Sequence, residues 1–324
     1  MNIRLINPKN GARLSAQGNN LVDPTGTVFS LVRGAYRFAA AVNYTANFGF
    51  QWNRFEKTQI DRFQQNTSQS NERFFATTGW DREELSGRNI LEVGSGAGRF
   101  SQIILQHTNA NLYSVDYSDA VEANFRNNGP HARLTLFQAS IYELPFEPAQ
   151  FDKVFCFGVL QHTPDFKKSI GCLAEMVKPG GELIVDFYPI RGWFTKIHAK
   201  YLLRPIFKGM NHEKLLSWIE SNVGWLMSTY NFFERIGLGV VNRFLPICDI
   251  KRTIPHRLDH QTLKEWVILD TFDMFSPSYD NPQRLATVVN WFKELGLQQI
   301  NGSIVEYGDG NRVTIVRGVK PNKS

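Results

Sequence analysis

Two groups of residues have the types and spacing that chemistry needs, and the first is the run at residues 89–100, NILEVGSGAGRF. Ile90, Leu91 and Val93 form a short apolar, β-prone stretch that breaks into Gly94, Gly96 and Gly98, and helical spacing begins at Arg99. A strand, a glycine turn and a helix follow from this. Bare backbone and the amides of the helix end then face a ligand with no Cβ in the way. A dinucleotide fingerprint would put its third glycine at position 99, where Arg99 stands, so the pattern is acid-x-G-x-G-x-G, opened by Glu92 with Ser95 inside it. A second strand at residues 111–115 delivers Asp116 and Tyr117, and an acid at that point of a doubly wound sheet takes the ribose hydroxyls of a nucleoside.

The second group is His162, Asp270, Asp273 and Tyr279. An imidazole with an ordinary pKa of about 6.5 suits a general base, and His162 follows the end of a strand; the other reading is a histidine that hydrogen-bonds loop backbone. Residues 269–283, LDTFDMFSPSYDNPQ, mix three Asp with two Phe and a Tyr around Pro277, which reads as a functional loop. Asp270 or Asp273 would orient or deprotonate a substrate hydroxyl and Tyr279 would stack on a ring or sugar, unless these residues only shape a turn.

The elements that must position these groups alternate strand and helix. A helix is expected at residues 120–127 and a third strand at 134–138, ending in Ala139, Ser140 and Ile141. The fourth strand, residues 153–157, is apolar enough to be buried on both faces and ends at Phe157 and Gly158. A helix over 165–177, a turn at Gly180 and Gly181 and a fifth strand at 182–187 complete the parallel part. Residues 188–281 read as inserted helices, where Leu216, Ile219, Val223, Leu226, Tyr230 and Phe233 make one apolar stripe. Asn281 and Pro282 look like a helix cap and first-turn proline, with Gly296 closing that helix, and residues 300–306 and 312–316 form a β-hairpin.

The sequence EVGSGAG at residues 92–98, with Asp116, resembles the cofactor site of class I S-adenosylmethionine-dependent methyltransferases, in the type 11 or ubiquinone–menaquinone branch. The likeness continues through QASIYELPF (138–146), FDKVFCFGVLQHTPD (151–165) and VKPGGEL (177–183). It implies an α/β fold, a doubly wound seven-stranded Rossmann-like sheet with a terminal antiparallel hairpin, and S-adenosylmethionine as cofactor. It further implies a cofactor site built from Glu92, Gly94, Ser95, Gly96, Gly98, Asp116, Tyr117, Ile141, Phe157 and Gly158. Arg73 would meet the cofactor carboxylate. Ser140 stands where the family usually has an Asp for the adenine amino group, and serine can still accept that bond. The fourth strand ends without Asp-Pro-Pro-Tyr or Asn-Pro-Pro-Tyr, which in this family go with planar amine substrates.

The resemblance therefore points to methyl transfer onto a small-molecule or glycan-type acceptor, most naturally at oxygen, with RNA methylation or a silent cofactor-binding scaffold as the alternatives. The expected divisions are residues 1–40, 41–187 as the cofactor-binding core, 188–281 as a substrate lid, and 282–324 completing the core. In the first segment Asn7, Asn10, Asp23 and Gly26 occupy the four ligand positions of a zinc-ribbon-like pattern, a donor set unsuited to zinc, so no metal is expected.

The chain carries a net charge of +6 over 324 residues, and residues 188–260 hold 11 Lys and Arg against 5 Asp and Glu, so the excess belongs to the insertion. It suits an anionic substrate, nucleic acid or a membrane surface, or it is a solvated helical face. Cys156, Cys172 and Cys248 lack metal spacing, the first residues lack an apolar signal core, and no stretch of about 18 uninterrupted apolar residues occurs. A cytoplasmic protein without a transmembrane segment is expected.

Overall fold

The computed structural model describes residues 3–40, 43–64, 68–255 and 258–322. Among the described residues eleven strands form one sheet: β1 (Ser15–Gln17), β2 (Asn20–Val22), β3 (Val28–Val32), β4 (Ala35–Arg37), β5 (Asn89–Val93), β6 (Asn111–Asp116), β7 (Leu134–Gln138), β8 (Phe151–Cys156), β9 (Val177–Phe187), β10 (Gln298–Tyr307) and β11 (Asn311–Val319). Their order is β1-β2-β3-β4-β7-β6-β5-β8-β9-β11-β10. The strands from β4 through β9 run parallel, and β11 enters antiparallel between β9 and β10. Neighbouring residues such as Ile90 and Leu91 point to opposite faces and are both fully buried, as central parallel strands require.

The expected count of seven strands is corrected to eleven. The strands from β5 onward supply seven, and the N-terminal segment supplies four more by pairing β4 with β7 in parallel, Ala35 opposite Leu136. Its two knuckles meet. Asp23 Oδ2 accepts from Asn7 Nδ2 at 2.7 Å and Asn10 Nδ2 at 3.1 Å, and Oδ1 accepts from Thr25 Oγ1 and from the amides of Thr25 and Thr27. These bonds, that from the Thr25 hydroxyl foremost, hold the Asp23 carboxyl well below its usual range.

Among the described residues ten α-helices flank or cover the sheet: α1 (Ala46–Arg54), α2 (Gln69–Thr78), α3 (Arg99–His107), α4 (Ala120–Asn128), α5 (Phe166–Met176), α6 (Ala199–Phe207), α7 (His212–Arg235), α8 (Ile250–Thr253), α9 (His260–Phe275) and α10 (Leu285–Glu294). Side-chain caps start four of them: Asp165 accepts from the Lys168 amide, His198 from the Lys200 amide, Asn211 from the Glu213 and Lys214 amides, and Asp259 from the Gln261 and Thr262 amides. The insertion has its own core, in which Leu215, Ile219, Leu226 and Val223 of α7 pack with Trp266, Leu269 and Phe272 of α9, and Phe50 and Trp52 of α1 lean on it.

Two local expectations change. Residues 269–275 are the last turns of α9 rather than a loop; this helix is buried nearly all round, so it shows no one-sided stripe, and it stops two residues before Pro277. Asn281 does not cap α10, whose N-cap is Arg284. Instead the Asn281 amide donates to the Gln161 carbonyl at 2.7 Å and its side chain to the Thr163 carbonyl at 3.0 Å, tying the loop after α9 to the loop after β8.

Candidate active site

A cavity of about 440 Å³ opens at the carboxyl ends of the central strands, with the insertion forming its other wall. Its floor is the glycine loop. Gly96 adopts φ +52° and donates its amide to Asp116 Oδ2 at 2.8 Å, and a Cβ there would lie 3.1 Å from the Trp52 ring. Gly98, at φ +84°, serves packing instead, because a Cβ there would strike Asn124 and Asn128 and hold α3 away from α4. Gly94, Ser95 and Gly96 line the cavity, and Gly98 is not among the lining residues described.

Asp116 also lines it. Its second oxygen accepts from the amide and hydroxyl of Ser118 at 2.8 and 2.6 Å, while burial raises its pKa. Glu92 sits behind the loop, outside the described lining, where its carboxylate accepts from the Ser101 and Ser114 hydroxyls; burial pushes it up to about 7. Ser140 likewise lies off the cavity, its hydroxyl receiving the Tyr142 amide, while its neighbours Ala139 and Ile141 face in. Tyr117, Phe157 and Gly158 line the wall.

Arg73 reaches in from α2. Its Nη2 pairs with Asp186 Oδ2 at 2.6 Å, and the same carboxylate receives the Gly158 amide. Arg73 Nε and Ser95 Oγ are buried without a hydrogen-bond partner among the described residues. Such atoms are expensive to leave unmet, and both belong to a bare-backbone cradle beside a carboxylate, the donor set that an amino-acid tail and a ribose require. Arg99 adds a second guanidinium, held by Gln59 and Ser70, whose pKa burial lowers to about 10.

His162 lies where β8 hands the chain to the cavity. Its Nδ1 is 2.9 Å from the Tyr279 carbonyl, which can only accept, so the proton sits on Nδ1 and Nε2 keeps a lone pair. Nε2 is buried and has no partner among the described residues. Burial lowers the His162 pKa and keeps the ring neutral. From the insertion, Asp270 and Asp273 stand one helical turn apart on α9 and both line the cavity. Tyr188 donates to Asp273 at 3.3 Å, and burial, with Asp273 beside it, pushes Asp270 up to about 7. The ring of Tyr279 does not belong to the described lining; it meets Tyr44 edge-on, and what this residue brings to the site is its backbone carbonyl. Asp186, Tyr188 and the ion pair of Lys200 with Asp280 escape the sequence reading, although a single acid inside the apolar run LIVDF is a signal for Asp186.

Residues 91–185 match the family model described as a methyltransferase domain. Over 151 residues the chain is 30% identical to the ubiquinone biosynthesis O-methyltransferase of Coxiella burnetii, a match covering 42% of this chain and 63% of that protein. Over 135 residues it is 30% identical to the enzyme of the same name from Pseudomonas aeruginosa, covering 40% and 58%. The chain thus spans less than two thirds of the length of these curated relatives. A chain from the Haloferax volcanii complex between the Trm112 methyltransferase activator and a methyltransferase superposes with a TM-score of 0.50 at 12% identity, covering 87% of this chain and all of that one, a likeness of fold. The resemblance carried by the glycine loop is borne out to this extent: residues 91–185 are similar to a methyltransferase domain, and the curated relatives that overlap them are named as methyltransferases.

Proposed function

We propose that the chain moves a methyl group from S-adenosylmethionine to a hydroxyl of a small-molecule or glycan-type acceptor, with His162 as the general base. One observation carries this reading: His162, whose Nε2 lone pair has no partner among the described residues, lines the same cavity as the glycine loop and Asp116. The cofactor supplies an electrophilic methyl on a sulfonium with a neutral leaving group. Asp116 and the Gly96 backbone would hold its sugar, Arg73 and Ser95 its amino-acid end, and Ala139 and Ile141 its base.

The chain must then align the acceptor, exclude water and take a proton. Alignment alone is worth about 7–11 kcal/mol, and a positioned base about 10²–10⁴-fold. The Tyr279 carbonyl keeps His162 in the tautomer that accepts at Nε2. Asp270 and Asp273 would orient the acceptor from the lid. The names of the curated relatives support oxygen as the nucleophile.

Calorimetric titration with S-adenosylmethionine, followed by transfer of labelled methyl into a fractionated extract, tests the reading. Binding is expected, with label appearing as a base-stable methyl ether on a small compound. An absence of binding at millimolar cofactor would end the proposal. Because burial lowers the His162 pKa, the acidic limb of kcat/KM is expected below pH 6.5, its ordinary value.

A further inference from the structure

Large hydrophobic side chains exposed on the described surface are concentrated in one part of the chain. Eleven of nineteen fall within residues 193–244, and they include the three most exposed, Trp193 at 83%, Val240 at 70% and Ile206 at 66%. The stretch is held together: Arg243 donates to the Phe194 and Ile197 carbonyls at 2.8 and 2.9 Å, clamping the short turn Trp193–Lys196 against the turn Gly239–Phe244. Helix α6 follows directly. It turns Ala199, Leu203 and Phe207 inward and leaves Leu202 and Ile206 outside, so it is apolar on two faces, a pattern that calls for something to cover the second.

Charge says what covers it. Residues 188–260 carry the whole of the net positive charge, and Lys196, Lys208, Lys214 and Arg235 are exposed and make no ion pair among the described residues. Apolar side chains that project singly between unpaired cations suit a layer of anionic headgroups over acyl chains. No helix among the described residues is long and apolar enough to cross a membrane, so the contact would be superficial. We infer that the outer face of the insertion, residues 193–244, docks on an anionic lipid surface. The same stretch sends His198 and Lys200 inward to line the cavity, so docking sets the lid against the bilayer.

The inference is independent of the methyl-transfer reading, and its test needs no turnover. The full chain is sedimented with phosphatidylcholine vesicles, with and without phosphatidylglycerol, at low and high salt. Partitioning at least tenfold stronger onto the anionic vesicles, weakening with salt, is expected. The double variant Trp193→Ser, Val240→Ser is expected to lose at least tenfold in partitioning, and Lys196→Glu several-fold, with cofactor titration unchanged in both. Leu31→Ser, an exposed hydrophobe on β3, is expected to behave as the parent chain. Weak partitioning that ignores lipid charge overturns the inference, as does a dimer in light scattering that Trp193→Ser, Val240→Ser turns into a monomer, since the face would then join two copies.

Discussion

On the floor of the cavity Asp116 is met by three donors from its own chain, two of them backbone amides, whereas on the insertion Asp270 and Asp273 stand a helical turn apart and are met by side-chain hydroxyls, Thr253 at Asp270 and Tyr188 at Asp273. The floor is fixed by backbone: glycine conformation, strand ends and amide bonds. The insertion is fixed by side-chain packing in a core of its own. On the proposed reading, recognition of the invariant ligand falls to the part that cannot move its donors, while acceptor chemistry falls to the opposite wall, where burial pushes Asp270 up to about 7.

The largest effect expected is from His162→Ala, which would sharpen the contrast by lowering kcat about 10²–10⁴-fold while cofactor affinity stays within a few-fold. A parallel loss in both would break it, because the histidine would then serve the floor. Next is Gly96→Ala, which forces a side chain into φ +52° and toward Trp52. A cost of about 1–2 kcal/mol, read as a 5–30-fold weaker cofactor dissociation constant by calorimetry, is expected.

Asp270→Asn probes the lid through pH. The folded pKa of about 7 exceeds the ordinary 3.8, so the folded chain holds that proton more tightly, and ionisation destabilises it as pH rises across this window. Asparagine never ionises. The variant should be more stable than its parent at pH 8 by about 1–2 kcal/mol in urea denaturation, allowing for solvent in the cavity, and the difference should disappear below pH 4. The smallest effect is that of Asn281→Ala, which removes the strut between lid and floor: a loss of about 1 kcal/mol and a kcat lowered a few-fold, as the Tyr279 carbonyl drifts from His162.

The floor is legible in the sequence because its chemistry is local: a few residues of loop announce a strand end, a turn and a helix start. The lid is less so. Helix α9 is apolar on nearly every side, which erases the stripe that marks α7, and the acids among its aromatics then resemble a loop. The sequence presents Tyr279 by its ring, yet it acts through a carbonyl that meets His162 across 117 residues, and backbone contacts of that span leave no trace in spacing. The two N-terminal knuckles meet through Asp23, but the parallel bridge from β4 to β7 is again nonlocal, and so the sheet gains strands that periodicity does not foretell.

One feature of the sheet governs how the chain is made. Strand β11 occupies the slot beside β9, yet its residues leave the ribosome about 120 positions later, after the whole insertion has been synthesised. At about 5–20 residues per second, the hydrogen-bonding rim of β9 stands bare for several seconds in every nascent molecule. During that interval the insertion with its greasy outer face is already present, so production of this polypeptide is most exposed to clumping before its final hairpin emerges, and slower translation lengthens the hazard.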